Sequence, residues 1–538
     1  SNPNEQFIYI STPSNININY SIKPVGSENE ITGVVSKENP AVIPIGTGES
    51  QLMVGASSTS RIHNNKGYII ESTAGQIYVS VRVRAGGNNS QAGALVSKGR
   101  AAFGTTFRAG MLDNSNRGGD YLGFISVMAT EDETKVNFSN LPSGIILENS
   151  SNSSSIPEIT LDEGESYIVA TNLSIQNTTD ISLIGVLVTS NKNIVVNVGS
   201  ANGSFGSEAG RRDYGIDQIV DVTKIGSEYI FVRGSGEDNW ENILIVAHQD
   251  NTRISVGGNA ITVLDNGEHH IIEGNLYSSS GNMYVQTSKP VFAYQGIGGL
   301  DNNGNPNEAN QGMFFVPPLS CESRGNVDNI AGIDKIGAAN FPGGVTIVSN
   351  RNATVTINNL PLTNYSTIGP NDVIGNPDYV TYKVNGLSGN ITVESTEELY
   401  CAYFNQNGVA TSGSFYSGFP SSPEINFDAT VAALGNCIPN VTLQAANTDL
   451  FDSFEWFFDD GSGSGFVATG ITTPSFTPTQ PGNYQLKAVI TCTMAEFTSV
   501  VVRVSICPDD VDGDLIIDNL DVDIDNDGIL NCDESLGN

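Results

Sequence analysis

The sequence predicts an all-β protein: a four-repeat β domain, then a β-sandwich and a short acidic segment. Period-2 alternation of Val, Ile, Tyr and Thr recurs along most of the chain, which specifies strands with one buried face. The 58 Gly residues suit many turns between short strands. No stretch has helical periodicity long enough to form a substantial helix. The predicted domains are residues 1–420, 424–506 and 507–538.

Four hairpin-like segments in the first domain share an apolar run, a polar turn and then alternation. They read FIYISTPSNININYSI, FISVMATEDETKVNF, ILIVAHQDNTRISV and VTIVSNRNATVTI. Ile18, Val136, Ile254 and Val355 align, so that the copies lie about 100–120 residues apart. Repeats of this kind close into a ring or stack in a row. A propeller-like ring is the first interpretation, and a row of β-sandwiches is the second.

Three linking segments between the repeats also match one another. They read LVSKGRAAFGTTF, VDVTKIGSEYIF and GIDKIGAANF. The first repeat has no such strand before it, and the fourth has no matching strand after it. Residues 414–427 are therefore expected to return to the N-terminus and complete the ring.

The repeat region resembles the bacterial relatives of the IgG Fc-binding protein N-terminal domain over roughly residues 1–420. The segments that match are DYLGFISVMATEDETKVNF, DYGIDQIVDVTKIGSEYIFVRG, and PVFAYQGIGG with NQGMFFVPPLS downstream. The resemblance implies the head of a very long flavobacterial surface protein, such as the gliding-motility adhesins exported by the type IX system. It assigns ligand binding to no particular residue.

Residues 424–506 have the pattern of a compact sandwich, with Trp456 as the expected core tryptophan. The GNYQL segment around Tyr484 resembles the penultimate strand of immunoglobulin-like and PKD-like modules. Leu443 and Leu486 occupy the positions that cysteines have in antibody domains. The sequence therefore predicts an Ig/PKD-like sandwich without the usual central disulfide.

The C-terminal segment, residues 507–538, has eleven carboxylates and no Lys or Arg. Oxygen ligands at alternate positions of a tight loop can bind Ca²⁺, which takes six to eight of them. The positions of an EF-hand-like loop are filled by Asp523, Asp525, Asp527, Gly528, Asn531 and Glu534. A half-matching loop before it contains Asp510, Asp512, Asp514, Asp518 and Asp521, with Leu515 where glycine is expected. The pair resembles thrombospondin type 3 repeats, which implies a calcium-filled rod; the alternative is a solvated acidic tail.

The cysteines predict an oxidising, extracellular compartment. They are Cys321, Cys401, Cys437, Cys492, Cys507 and Cys532. The first two stand alone in the repeat region, so if they pair at all they are expected to pair with each other. Sequential pairing of the other four is the simple possibility. Because the second and penultimate strands of an immunoglobulin sandwich run in the same direction, the crossed pairs Cys437–Cys507 and Cys492–Cys532 are equally possible, and both connectivities stay open.

Charge and motifs exclude several classes of function. With 24 basic and 58 acidic residues the net charge is −34, which disfavours nucleic acid and anionic membranes as partners. No run is long enough for a transmembrane helix, and no membrane insertion is predicted. GxSxG, HExxH and phosphate-binding loops are absent from the sequence, and no enzymatic activity is predicted.

The main hypothesis is an adhesin head on a calcium-stiffened stalk, part of a larger secreted bacterial protein at the cell surface that acts in attachment or gliding. Its expected partners are an extracellular surface ligand, with polysaccharide among the candidates, and export and motility machinery that acts on regions outside this chain. The alternative is a carbohydrate-binding module of a polysaccharide-utilisation system. Two oxygen-rich loops, residues 113–120 and 301–308, could then contact sugar hydroxyls or calcium. A glycoside hydrolase hidden in the repeats is the third hypothesis.

Overall fold

A computed structural model gives the fold of the chain. The residues that it describes are 3–72, 75–85, 91–112, 122–150, 155–172, 182–205, 212–299, 310–320, 327–417, 419, 424–429, 435–446, 448–492, 494–509, 511, 512, 516, 518 and 521–531. The chain divides into two compact units, Ser1–Phe419 and Pro420–Asn538. The all-β prediction is confirmed, since the described residues contain, besides strands and turns, only single 3₁₀ turns and one α-helical residue, Asn531.

The first unit contains the four repeats, each with seven to eleven strands among its described residues. The first repeat has β1 (Glu5–Ser11), β2 (Ile18–Pro24), β3 (Ile31–Val35), β4 (Ala41–Gly46), β5 (Ile62–His63), β6 (Tyr68–Ser72), β7 (Tyr78–Ala85) and β8 (Gln91–Val96). The second has β9 (Gly104–Arg108), β10 (Leu122–Ala129), β11 (Thr134–Ser139), β12 (Ile159–Leu161), β13 (Ser166–Asn172), β14 (Leu187–Gly203) and β15 (Asp213–Ile219).

The third and fourth repeats follow the same order. The third has β16 (Gly226–Val232), β17 (Ile243–Ala247), β18 (Thr252–Val256), β19 (Asn259–Leu264), β20 (His269–Ile272), β21 (Asn282–Gly298) and β22 (Gln311–Phe315). The fourth has β23 (Val327–Ile330), β24 (Lys335–Ile336), β25 (Ala339–Asn340), β26 (Gly343–Asn350), β27 (Val355–Ile357), β28 (Leu360–Pro361), β29 (Ser366–Asp372), β30 (Tyr379–Leu387), β31 (Ile391–Ser395), β32 (Leu399–Asn407) and β33 (Ala410–Phe415).

The alternation of the sequence sets the two faces of these strands. In β11, Val136 and Phe138 are buried while Lys135 and Asn137 are exposed. Successive side chains of a strand point to opposite faces, so the apolar set lies in the core of the repeat and the polar set in solvent. Burying each such apolar side chain stabilises the fold by about 1.5–3 kcal/mol.

Each repeat folds as a two-layered sandwich around one long strand. In the second repeat the 17-residue β14 pairs with β9 and β11 in its first half, and with β10 and β15 in its second half. In the third repeat β21 pairs in the same way with β16 and β18, and then with β17 and β22. In the first and fourth repeats the long strand is split, into β6 and β7 and into β31 and β32.

The four sandwiches form a closed ring. The last strand of each repeat is innermost, and these strands pack in cyclic order: β8 on β15, β15 on β22, β22 on β33, and β33 on β8. The junction of the fourth and first repeats shares an apolar cluster in which Ala94 and Val96 join Val345 and Tyr403. The four repeats are therefore sandwiches, as in the second interpretation. They are arranged in a ring, as in the first interpretation.

Glycine lets the innermost strands approach one another closely. A Cβ on Gly93 of β8 would lie 2.4 Å from the Tyr214 Cβ and 2.8 Å from the Tyr214 carbonyl oxygen on β15. Any side chain at this position would separate the two strands.

The expected closing segment, residues 414–427, does not form one strand of the ring. Ser414 lies at the end of β33, in the ring. β34 (Glu424–Ala429) instead pairs with a strand of the second unit. The first repeat keeps a three-stranded outer sheet, β3-β2-β6, and the ring closes by the packing of β33 on β8. This prediction was wrong because a short alternating strand can pair with either of two sheet edges.

The second unit contains an immunoglobulin-like sandwich. Its strands are β34, β35 (Cys437–Ile438), β36 (Val441–Ala446), β37 (Ser453–Asp459), β38 (Val467–Ala468), β39 (Ser475–Phe476), β40 (Gly482–Ile490), β41 (Ala495–Thr498) and β42 (Val502–Ile506). One sheet has the order β34-β36-β39, and the other has the order β35-β42-β40-β37-β38, with β41 on β40. Trp456 is fully buried between them, and the Tyr484 hydroxyl donates to the Gln480 carbonyl at 2.6 Å, as in a tyrosine corner.

Candidate functional site

Three carboxylates converge in the C-terminal segment. Asp523, Asp525 and Asp527 each offer an oxygen, and these oxygens lie within 4.8 Å of one another. Gly528 follows with φ +89°, and its N–H donates to Asp523 Oδ2 at 2.9 Å. Asp523 Oδ1 is buried and accepts no hydrogen bond from the described residues. Oxygens that ligate one Ca²⁺ at about 2.4 Å are at most about 4.8 Å apart, so these residues fit that ion.

Hydrogen bonds of the Asn531 side chain and backbone close this loop around the carboxylates. The Ile524 N–H donates to Asn531 Oδ1 at 2.9 Å, and the Asn531 N–H donates to the Val522 carbonyl at 2.8 Å. The Asn531 amide also donates to the Asp521 carbonyl at 3.0 Å. Asn531 therefore fixes the loop ends through its side chain and its backbone.

The preceding loop is closed in the same way. The Val511 N–H donates to Asp518 Oδ1 at 2.9 Å, and the Asp518 N–H donates to the Asp509 carbonyl at 2.9 Å. Asp518 thus holds the place in the first loop that Asn531 holds in the second. The half-matching sequence pattern corresponds to a structural repeat at these positions.

The remaining predicted ligands are placed only in part. Asp512 and Asp518 are half-buried in the first loop. Asp510, Asp514, Leu515 and Glu534 lie outside the described residues. The residues that the structure brings together are therefore the three carboxylates of the second loop.

A disulfide ties the start of this segment to the sandwich. Cys437 and Cys507 are bonded, with Cα atoms 4.8 Å apart. Cys437 lies in β35, which pairs in parallel with β42 immediately before Cys507. This bond excludes the sequential connectivity. Cys492 is disulfide-bonded too, while Cys532, its expected partner in the crossed connectivity, lies outside the described residues.

The expected Cys321–Cys401 pair is wrong, because Cys401 is a buried free thiol. It lies in β32 opposite Ile347 of β26 and belongs to the apolar core of the fourth repeat. Burial raises the pKa of the Cys401 thiol well above its usual value. Cys321 lies outside the described residues.

The axis of the ring carries two buried carboxylates that the sequence analysis missed, both on β15. Asp213 accepts hydrogen bonds from the Ala92 N–H of β8 at 2.6 Å and from the Thr411 N–H of β33 at 2.8 Å. Asp217 accepts from the Phe315 N–H of β22 at 2.9 Å. The side chains of one innermost strand therefore hold the backbones of the other three.

Lys98 provides the counter-ion of Asp217. Its Nζ lies 3.0 and 3.1 Å from the two carboxylate oxygens, and the side chains are 2% and 0% exposed. Burial raises the pKa of Asp217, and the nearby Lys98 ammonium opposes that rise. The sequence signal for this site is the DYGID motif, whose central glycine aligns with that of QAGAL in the first repeat.

A further buried acid, Asp328 of β23, gives the ring a predicted pH dependence. Burial raises its pKa to about 7. The folded chain then keeps a proton that the unfolded chain releases above about pH 4. The free energy of unfolding should therefore fall as the pH rises from about 4 to about 7, by roughly 2–4 kcal/mol from this group.

We expect Asp328→Asn to remove this contribution. Urea unfolding at pH 5 and pH 8, read by Trp240 fluorescence in a Trp456→Phe background, measures it. The exposed Asp378→Asn is the matched control. Identical pH profiles for Asp328→Asn and the parent would contradict the prediction.

The two oxygen-rich loops predicted from the sequence, residues 113–120 and 301–308, lie outside the described residues. The connections between β7 and β8 and between β14 and β15 also contain residues that are not described. Their described ends meet at one end of the ring, where the Gln91 amide donates to Asn202 Oδ1 at 2.7 Å. No described helix is long and apolar enough to cross a membrane.

Comparisons with solved structures give low similarity. The tetra-tandem repeat of the extending region of a large adhesion protein is 11% identical, and the match covers 79% of this chain and 95% of that chain with a TM-score of 0.12. The match to Sidekick-1 immunoglobulin domains 1–5 is 10% identical and covers 92% of this chain and 98% of that chain, with a TM-score of 0.09. No curated protein matches the sequence.

A family model described as IgGFc binding protein matches residues 92–404. The match runs from β8 to β32 and therefore includes all the strands of the second and third repeats, β9 to β22. It spans more than half of the chain. The chain therefore belongs to the IgGFc binding protein family.

Proposed function

We propose that this chain is a non-enzymatic extracellular adhesin, in which the ring is the ligand-binding head and the C-terminal segment is a calcium-stiffened stalk. Membership of a family named for binding an immunoglobulin region supports a binding role for the head. The resemblance to long flavobacterial surface proteins favours the bacterial cell surface as its place, and attachment or gliding as its role. Export by the type IX system and contact with motility machinery would involve regions outside this chain.

The observation that carries the proposal is the convergence of Asp523, Asp525 and Asp527 in a loop closed by Asn531. Three carboxylates at this separation repel one another, and a bound Ca²⁺ would offset that repulsion. Calcium would also fix the loop, because its ligands come from alternate positions of one short segment. An acidic segment held in this way would extend from the sandwich as a stiff spacer.

The ring supports ligand binding through its geometry. The described ends of β8 and β14 meet around Gln91 and Asn202, and the ends of strands on a rigid scaffold are common places for ligand sites. We place the ligand-binding face at this end. The expected ligand is an extracellular protein or polysaccharide rather than a nucleic acid, given the charge of −34.

Calcium should raise the thermal midpoint of the second unit and leave that of the ring unchanged. A ligand present at 100 times its dissociation constant stabilises the folded state by about 2.7 kcal/mol. The full chain is melted in calcium and in chelator. A Trp240→Phe background reports on Trp456 of the sandwich, and a Trp456→Phe background reports on Trp240 of the ring. Equal midpoints of the Trp456 transition in calcium and in chelator would contradict the proposal.

A further inference from the structure

We infer that the Cys437–Cys507 disulfide keeps the core of the sandwich off the path of mechanical tension along the chain. The inference builds on the proposed function, because a stalk that holds an attached head is under load. The ring precedes the sandwich in the chain, and the acidic segment follows it. Tension therefore enters from the N-terminal side and leaves through the C-terminal segment.

The disulfide gives this tension a covalent route around the sandwich. Cys437 precedes almost all of the sandwich strands, and Cys507 follows the last of them, 70 residues further along. Force that arrives at Cys437 passes through the sulfur atoms to Cys507. The residues between them become a closed loop, of which the load can stretch only the part from Cys492 to Cys507, through the disulfide of Cys492.

Nearly the whole apolar core lies inside this loop. The buried core residues before Cys492 are Val441, Leu443, Phe451, Phe454, Trp456, Tyr484, Leu486, Ala488 and Ile490. The second cross-linked cysteine, Cys492, does not return them to the load path. The chain from Cys492 to Cys507 is much shorter than the chain from Cys437 to Cys492, so it becomes taut first. Residues 438–491 stay slack in either case.

Strand pairing continues up to the cross-link. β35 and β42 are a parallel pair in which Cys437 faces Ser505 and Ile438 faces Ile506. The Cys507 N–H donates to the Ile438 carbonyl at 2.9 Å, which continues the pairing to the disulfide itself. The strand left outside the loop is β34, which pairs with β36 in the other sheet. Tension can therefore draw out β34, whose Ile425 packs against the core from outside the loop, while the rest of the core stays inside the loop.

The test is single-molecule force spectroscopy on the full chain, held at its two ends. The oxidised wild type should lack the extension that unfolding of residues 438–491 would release. The Cys437→Ser/Cys507→Ser variant should show an added extension on the order of 150–250 Å, at about 3.6 Å for each released residue. Cys401→Ala, which removes a thiol outside any disulfide, is the control and should behave as wild type.

Reduction of the folded wild type under load provides the second measurement if the double variant fails to fold. It should release at least that added extension, because reduction also opens the disulfide of Cys492. Equal extension in the oxidised wild type, the double variant and the reduced chain would overturn the inference. Each trace is recorded in calcium and in chelator, so that a failure of calcium binding is distinguished from a failure of the mechanical bypass.

Discussion

Replacing Arg82 by alanine should lower the free energy of unfolding of the ring by about 3–5 kcal/mol. Arg82 lies in β7 of the first repeat and is fully buried. Its guanidinium donates to the carbonyls of Ala331 and Gly332 in the fourth repeat at 2.7 and 2.6 Å. It also lies over the Tyr9 and Tyr403 rings, 4.1 and 4.9 Å from their centroids.

These contacts join the first sandwich to the last, so they close the ring. Hydrogen bonds to a charged group contribute about 1.5–3 kcal/mol each, and a buried carbonyl left without its donor adds a further cost. A cation over an aromatic ring contributes about 0.5–2 kcal/mol more. The full sum is not expected, because contacts that share one side chain are not additive.

Urea unfolding of Arg82→Ala in the Trp456→Phe background measures the loss, since Trp240 then reports on the ring alone. Arg253→Ala is the matched control, because this arginine is exposed on β18. The control should change the free energy of unfolding by less than about 0.5 kcal/mol. Equal losses in the two variants would show that Arg82 does not hold the ring closed.

Replacing Asp217 by alanine should cost about 3–5 kcal/mol, because it leaves the buried Lys98 ammonium without its counter-ion. The same change removes the acceptor of the Phe315 N–H on the neighbouring repeat. Asp217→Asn should lose less, since its amide oxygen can still accept that hydrogen bond. The order of stability is therefore wild type, then Asp217→Asn, then Asp217→Ala.

The same fluorescence measurement of urea unfolding checks this order. Glu158→Ala is the control, because Glu158 forms an exposed pair with Lys135 at 3.8 Å. An exposed ion pair contributes about 0–1 kcal/mol, so the control should remain close to wild type. A small effect of Asp217→Ala, similar to that of the control, would mean that the carboxylates of β15 do not hold the axis of the ring.

The strands and repeats could be predicted from the sequence because they follow local patterns. Alternation identifies β11 and its counterparts, and the positions of Ile18, Val136, Ile254 and Val355 reveal four copies before any contact is known. Turn residues between apolar runs mark where the strands end. These signals lie within a few residues of one another, so a single sequence is sufficient to find them.

The closure of the ring could not be predicted in detail, because it depends on contacts between distant residues. Arg82 and Gly332 are 250 residues apart, and neither lies in a sequence motif that predicts contact with the other. Asp213 and Asp217 could have been singled out, since DYGID places two carboxylates in a strand that otherwise follows the pattern of the innermost strands. Cysteine counting failed for Cys401, because a count cannot distinguish a buried thiol from half of a disulfide.

The C-terminal loops are held mostly by contacts between residues close in sequence, and the disulfide beside them joins residues far apart in sequence. The ligand positions of the second loop are local in sequence, and the structure brings three of them together. The hydrogen bonds that close both loops, through Asp518 and Asn531, are local too and were not predicted. The disulfide between Cys437 and Cys507 is a distant contact, for which the sequence left two connectivities open.

The central claim, a calcium-binding stalk, is tested most directly by isothermal titration of calcium into the full chain. The comparison is with Asp523→Ala/Asp527→Ala, and Asp459→Ala/Asp460→Ala, an acidic pair at the end of β37 in the sandwich, is the matched control. We expect saturable binding by the wild type and by the control, with the site lost in the Asp523→Ala/Asp527→Ala variant. Absence of saturable binding by the wild type, or equal binding by all three proteins, would contradict the account.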